Sequence, residues 1–207
     1  MKTIVYVDGF NLYYGCLKKT SFKWLNLYKM SELLFPSDEI VKVKYFTAPI
    51  KIRDNDSDHD RPNRQQIYWR ALKTIKNVDI IEGTFLSHKV SMKLADKTGY
   101  VSVLKTEEKE TDVNMATHLI HDAHKGNFEK AVVISNDSDL VLPINIVVNE
   151  IKLPVIIISP HNTNSIELKR VASGIKKIRK GLLKVSQFPA KLKDNIGKFH
   201  IPAKWLN

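Results

Sequence analysis

Three short runs of uninterrupted apolar residues constrain this chain more than any other feature: TIVYV at 3–7, KAVVIS at 130–135 and PVIIIS at 154–159. A strand with one face in water alternates polar and apolar residues, whereas a strand that is apolar throughout must be covered on both faces. Two further segments complete a set of five strands. Residues 40–47 (IVKVKYFT) alternate more, which suits a place nearer a sheet edge, and 78–82 (VDIIE) end at Gly83. Between these segments, 10–20, 63–76, 111–125 and 140–151 carry apolar residues three or four apart, the period of a helix that buries one stripe. In 111–125 the stripe reads Val113, Ala116, Leu119, Ile120 and Ala123, and Gly126 supplies a C-terminal stop. Strands alternating with helices predict an α/β fold with a parallel sheet covered on both sides. Residues 85–94 and 100–106, joined across Asp96-Lys97-Thr98-Gly99, predict a β-hairpin inserted into that scheme.

A chain of 207 residues buries enough surface to fold without disulfides or a structural metal. Its one cysteine, Cys16, excludes an intramolecular disulfide and fits a reducing compartment. No apolar run approaches the roughly 20 residues of a membrane-spanning helix, and Asp8 interrupts the N-terminal run too early for a signal-peptide core. The expectation is a soluble cytoplasmic protein with no membrane partner. Charge is unevenly spread: residues 168–207 hold 11 of the 33 Lys+Arg and a single acid, Asp194, so they carry +10 of the net +11. A nearly neutral body with a basic C-terminal fifth points to a polyanionic partner, most simply nucleic acid, because cationic side chains release counterions from phosphates. A solvated, solubilising tail is the plainer alternative. The predicted organisation is a domain at 1–178 followed by a basic tail at 179–207. Phe188, Phe199, Ile201 and Trp205 are available to anchor that tail to the body.

Ligand sites in open α/β sheets lie beyond the carboxyl ends of the strands. The first predicted strand ends in Asp8-Gly9-Phe10-Asn11 and the fourth in Ser135-Asn136-Asp137-Ser138-Asp139, while the third helix opens with Lys109-Glu110-Thr111-Asp112. All three fall at one edge. Taken singly, each has an ordinary reading: Asp8-Gly9 as a turn, Asp137 or Ser138 as a helix cap, and Asp112 as a complement to the helix dipole. Together, Asp8, Asp112, Asp137 and Asp139 would repel one another unless a cation lay among them. Oxygen ligands without neighbouring Cys or His select Mg²⁺ or Mn²⁺ over Zn²⁺. Asn11 is placed to hold a carboxylate or a water by hydrogen bonding.

Other constellations are weaker. Asp54, Asp56, Asp58 and Asp60 alternate as in a calcium loop but lack its Gly and its closing Glu, and the stretch reads as an exposed loop. His118, His121 and Asp122 have helical spacing for zinc without a second ligand cluster. No Gly-x-Gly-x-x-Gly, Walker lysine or nucleophile-elbow pattern is present. Phe10, Tyr13 and Tyr14 on the first helix are candidates for base stacking, although aromatic residues there more often serve the core.

The segments Val7-Asp8-Gly9-Phe10-Asn11-Leu12-Tyr13, Glu108-Lys109-Glu110-Thr111-Asp112-Val113 and Val133-Ile134-Ser135-Asn136-Asp137-Ser138-Asp139-Leu140 resemble, in order and spacing, the three signatures of NYN-domain proteins. These are the PIN-like ribonucleases of the bacterial LabA/DUF88 group, and the resemblance runs over roughly residues 1–175. It implies a three-layer α/β/α PIN-like sandwich with a mainly parallel sheet of about five strands and an acidic Mg²⁺ or Mn²⁺ site that hydrolyses RNA. Asp8, Asp112 and Asp137 fall on the family's acidic positions, Asp139 on the second acid of the fourth-strand motif, and Asn11 and Lys109 on further motif positions. The family's Lys-Gly-Val-Asp-Val pattern has Glu110 and Thr111 here in place of Gly and Val, and Asn136 stands where Gly is frequent. Glu32 is the candidate for the extra acid that PIN domains often carry on an early helix. On this reading the four aspartates hold the ion, Lys109 neutralises a phosphate oxygen, and Lys169, Arg170, Lys176, Lys177, Arg179 and Lys180 track an RNA backbone.

Two rival readings stand beside this one. A phosphatase of the haloacid dehalogenase type needs an acid two residues after the first Asp, and that position is Phe10. A non-catalytic RNA-binding or interaction protein with the same fold is the stronger rival. Association of the chain with itself is compatible with the sequence and not specified by it.

Overall fold

A computed structural model describes residues 1–52 and 57–206. Six parallel strands form the central sheet: β1 (Lys2–Asp8), β2 (Glu39–Thr47), β3 (Val78–Glu82), β6 (Lys130–Ile134), β7 (Val155–Ser159) and β8 (Gly174–Lys177). Their order is β3-β2-β1-β6-β7-β8. Strands β4 (Thr84–Lys93) and β5 (Tyr100–Lys109) form a separate antiparallel hairpin. The five expected strands are present, and a sixth joins them: β8 is four residues long, reads GIKK, and occupies an edge, too short and too charged to stand out as a strand.

The uninterrupted apolar runs are explained by two cores. Along β1, Val5 and Val7 enter one core while Ile4 and Tyr6 enter the other; β6 divides in the same way, with Val132 and Ile134 against Ala131 and Val133. The first core is covered by α1 (Gly9–Leu12), α2 (Leu27–Leu34), α3 (Arg61–Lys73) and α7 (Lys180–Val185). The second is covered by α4 (Thr111–His124), α5 (Val141–Asn145) and α6 (Ile166–Val171). The result is a three-layer α/β/α sandwich in which the chain changes faces after β3 and places β6 beside β1.

On α4 the buried stripe is rotated from the expected one. Thr111, Met115, Leu119, Asp122 and Ala123 face inward, and Val113 is 69% exposed. A buried polar contact sets this rotation. Asp122 accepts hydrogen bonds from Tyr6 Oη (2.6 Å), Lys44 Nζ (2.6 Å) and Asn127 Nδ2 (3.0 Å), so the acid that hydropathy places outside is drawn in by its partners. The same contacts remove it from any zinc set with His118 and His121. Gly126 ends the helix with φ +66°, a left-handed conformation that glycine adopts without strain.

The C-terminal residues pack against the first core. Trp24, 1% exposed, is ringed by Tyr68, Phe188, Phe199 and Trp205 with ring centroids 5.7–6.5 Å away, and its indole N–H donates to Pro189 O at 2.9 Å. A short hairpin of β9 (Lys191–Lys193) and β10 (Lys198–His200) is pinned by a two-point ion pair from Arg70 to Asp194, both contacts at 2.7 Å. Among the described residues no helix is long and apolar enough to cross a membrane. Trp24→Ala leaves a void shared by body and tail, and is expected to cost about 3–5 kcal/mol of unfolding free energy in urea denaturation.

Candidate metal centre

The strand order reverses between β1 and β6, and the crevice this opens lies at their carboxyl ends. Asp8, the last residue of β1, points into it with 6% exposure. Its Oδ1 accepts the Asn11 backbone N–H at 2.8 Å, capping α1, and its Oδ2 accepts the Ser135 hydroxyl at 3.0 Å from the end of β6. Gly9 is required beside it, because a Cβ there would lie 2.7 Å from the Tyr45 ring and 2.8 Å from Phe46 O. Burial pushes the Asp8 carboxyl up to about 6, and the charges of Asp112 and Asp137 add to the rise against the two hydrogen bonds that oppose it.

One carboxylate oxygen from each of Asp112, Asp137 and Asp139 can be chosen so that all three lie within 4.8 Å of one another. Two local turns produce this convergence. Asp137 accepts the Asp139 backbone N–H at 3.0 Å and caps a short 3₁₀ turn, Ser138–Leu140. Asp112 sits in the first turn of α4, which starts after Glu110 takes a left-handed backbone (φ +79°). That conformation costs a non-glycine residue about 1–2 kcal/mol. It accounts for the glycine in the family pattern, and Glu110 itself is exposed and outside the carboxylate group. Partial burial raises the Asp112 carboxyl, with Asp137 and Asp139 adding to the rise. Hard oxygen donors at this spacing fit a small divalent cation.

Three of the four aspartates singled out in the sequence thus meet, and Asp8 lines the same pocket as Asp112 and Asp137. Asn11 joins them differently from expectation: its Oδ1 accepts the Asn136 backbone N–H at 3.1 Å and faces His161 Nε2 at 3.1 Å. Asn136 in turn accepts from Ser165 N (2.8 Å) and Ser159 Oγ (3.2 Å), so this side chain, where glycine is frequent, ties the loop after β7 to the site. His161 lines the same pocket, of about 280 Å³, as Asp8, Asp112 and Asp137. Sequence reading missed it; the available signal was a polar residue two positions beyond a buried strand, next to the switch point.

Several expected residues lie elsewhere. Lys109 is half-exposed on the hairpin, with its Nζ 3.2 Å from Glu107, and does not line the pocket. Glu32 is exposed on α2 and also outside the pocket. The six basic residues do not form one track. Lys169 and Arg170 occupy the last turn of α6, from which the chain returns to the amino end of β7 through a Ser173 N–H to Val155 O bond of 2.9 Å. Lys176 lies over the Phe35 ring, its Nζ 4.2 Å from the centroid. Lys177 pairs with Ser159 at the carboxyl edge and donates to Asn162 O at 3.0 Å, with Arg179 and Lys180 following it. Asp54 and Asp56 lie outside the described residues. Asp58 and Asp60 are ion-paired with Arg64 at 2.6 and 3.1 Å.

Because folding raises the Asp8 pKa from 3.8 to about 6, the folded state gains from this group below pH 4 and loses that gain as pH rises through 6. Asp8→Asn is therefore expected to increase the unfolding free energy of the metal-free protein at pH 7.5 by about 2–3 kcal/mol, with the gain gone near pH 4. Urea titrations at the two pH values check this. Mg²⁺ or Mn²⁺ is expected to raise the wild-type Tm more at pH 7.5 than at pH 5, where protons compete for the same oxygens.

Comparison with known proteins bears on the fold and the family. A protein from Vibrio parahaemolyticus of unknown function, VPA0982, superposes with a TM-score of 0.54 over 86% of this chain and 93% of its own; at 19% identity the likeness is one of fold. A curated relative, 6-hydroxy-3-succinoylpyridine 3-monooxygenase HspA of Pseudomonas putida, is 32% identical over 167 residues, 68% of this chain and 53% of the relative. The chain thus spans about half the length of that relative. A family model described as the NYN domain matches residues 2–178, a span that holds Asp8 and the three converging aspartates. This chain belongs to the NYN-domain family and has its PIN-like nuclease fold.

Proposed function

We propose that this protein hydrolyses RNA phosphodiester bonds with the aid of Mg²⁺ or Mn²⁺. The observation that carries the proposal is the meeting of Asp112, Asp137 and Asp139 within 4.8 Å, beside a pocket that buried Asp8 also lines. When bound there, a divalent ion neutralises charge on the phosphate and lowers the pKa of water. The chain's own residues prepare that chemistry. Asp8 is a fixed anionic floor, with one oxygen held by Asn11 N–H and the other by Ser135 Oγ. Asp137 is oriented by its cap, and Asn11 and His161 line the polar wall beside it. Lys177, Arg179 and Lys180 follow the carboxyl end of β8 and supply cations for the backbone of the strand.

A second reading comes from the Pseudomonas relative, whose name describes hydroxylation of a substituted pyridine, and it is supported by the 32% identity over 167 residues. The two readings differ in what is consumed: oxygen and a reductant in one, water alone in the other.

Incubation of 5′-labelled single-stranded RNA with the protein and Mn²⁺, Mg²⁺ or EDTA is expected to give metal-dependent cleavage that Asp137→Asn abolishes. Binding without cleavage, insensitive to EDTA, favours the non-catalytic RNA-binding alternative. Oxygen uptake with a reductant and a hydroxypyridine, without RNA cleavage, favours the second reading. Placement of the cations yields a separate expectation. Replacing Lys177, Arg179 and Lys180 by Ala flattens the slope of log K against log[salt] by roughly 2, at about 0.7 per contact with a single strand. The Lys169→Ala/Arg170→Ala pair leaves that slope unchanged.

A further inference from the structure

Tyr14 is 59% exposed, although its neighbours Leu12 and Leu17 are buried. The backbone explains the exposure: after α1 the helix widens into a π turn, Tyr13–Leu17, closed by Lys18 N–H to Tyr13 O at 2.8 Å. An extra residue in a turn changes which side chains face outward, and such turns are frequent at functional sites. Tyr14 is also held in place. The Phe10 ring lies nearly parallel to it (6.5 Å between centroids, 21°), and Tyr13 meets it edge-on at 5.3 Å. Phe10 is fixed in turn by Phe85 of the hairpin, edge-on at 5.6 Å. Tyr13 turns toward the first core, so of the three aromatics on this segment Tyr14 offers the open ring.

Both Phe10 and Tyr14 line the pocket that holds Asp8, Asp112 and Asp137. The exposed Lys18, four residues on, places its ammonium 4.9 Å from the Tyr14 ring centroid. A flat, pre-positioned ring that lines an acidic pocket, with an exposed cation lying over it, matches the two halves of a nucleotide once the lysine swings from the ring to a phosphate: a base to stack and a phosphate to neutralise.

We infer that Tyr14 is a stacking platform for an unpaired base next to the phosphate at the carboxylates, with Phe10 as its support and Lys18 as the partner of an adjoining phosphate. Such a platform selects single-stranded nucleic acid, because a base inside a duplex has no free face to offer. This inference rests on the RNA reading of the site, and binding assays without turnover separate the two.

The test measures binding by fluorescence anisotropy in EDTA. The ligands are an unpaired oligouridylate and an abasic oligonucleotide of the same length and charge. Wild type, Tyr14→Phe and Tyr14→Leu are compared, with circular dichroism and Tm verifying the fold of each. Tyr14→Leu is expected to weaken oligouridylate binding roughly 5- to 100-fold and to leave binding of the abasic strand unchanged, while Tyr14→Phe stays within about twofold of wild type for both ligands. Equal loss on both ligands, no loss on either, or no measurable binding of oligouridylate by wild type overturns the inference. Base-dependent binding that needs Tyr14, in a protein that does not cleave RNA with Mn²⁺, leaves the platform standing and removes the nuclease reading. Cleavage with binding indifferent to Tyr14→Leu does the reverse.

Discussion

Parallel pairing of β1 with β6, at the point where the sheet changes its direction of growth, is the constraint on which the rest of the structure depends. Strands added on one side of β1 carry helices on one face, and strands added beyond β6 carry helices on the other. The connections that leave β1 and β6 thus pass to opposite faces, which opens a crevice at the carboxyl ends of this central pair. A side chain at the end of β1 then faces the loop after β6. The Asp8 to Ser135 hydrogen bond of 3.0 Å spans that boundary inside the protein. Asn11, Asn136 and the loop containing His161 extend the same lattice of hydrogen bonds toward β7.

The arrangement works against stability in two ways that share one cause. Burial raises the carboxyl pKa values of Asp8 and Asp112, and the charges of neighbouring aspartates add to the rise, so the metal-free site is a place of repulsion. The backbone at Glu110 is left-handed where it turns the chain into α4 and delivers Asp112. Both features belong to gathering like charges at one point, and a divalent cation offsets the first of them.

Stability comes from elsewhere: from the two cores, and in the first of them from an aromatic cluster around Trp24. That cluster joins the first core to the C-terminal residues, with the Arg70–Asp194 pair beside it. The basic C-terminal fifth is therefore structured: its apolar side chains fill the core and its lysines stay in solvent. This divides the excess positive charge between a packed, distant portion and a small group near the carboxyl end of β8, so net charge alone overstates how many cations reach the site.

The sequence by itself determined the layers, the five central strands and the aspartate set. These depend on local pattern: a strand buried on both faces must be apolar throughout, and carboxylates at the ends of parallel strands share an edge. It did not determine which side of α4 turns inward, because Asp122 is drawn in by Tyr6 and Lys44, both remote in sequence, together with nearby Asn127. Nor did it reveal that Lys109 turns away to Glu107, that Asn136 braces a loop, or that His161 lines the pocket. A π turn gave Tyr14 its exposure, and return of the chain after α6 placed Lys169 and Arg170 toward the other edge. Lys109 and Tyr14 are directed by local geometry that hydropathy does not encode, whereas the contacts of Asp122, Asn136 and His161 join segments far apart in the chain. Such contacts exist only once the sheet has brought the segments together, so hydropathy, spacing and charge carry no record of them.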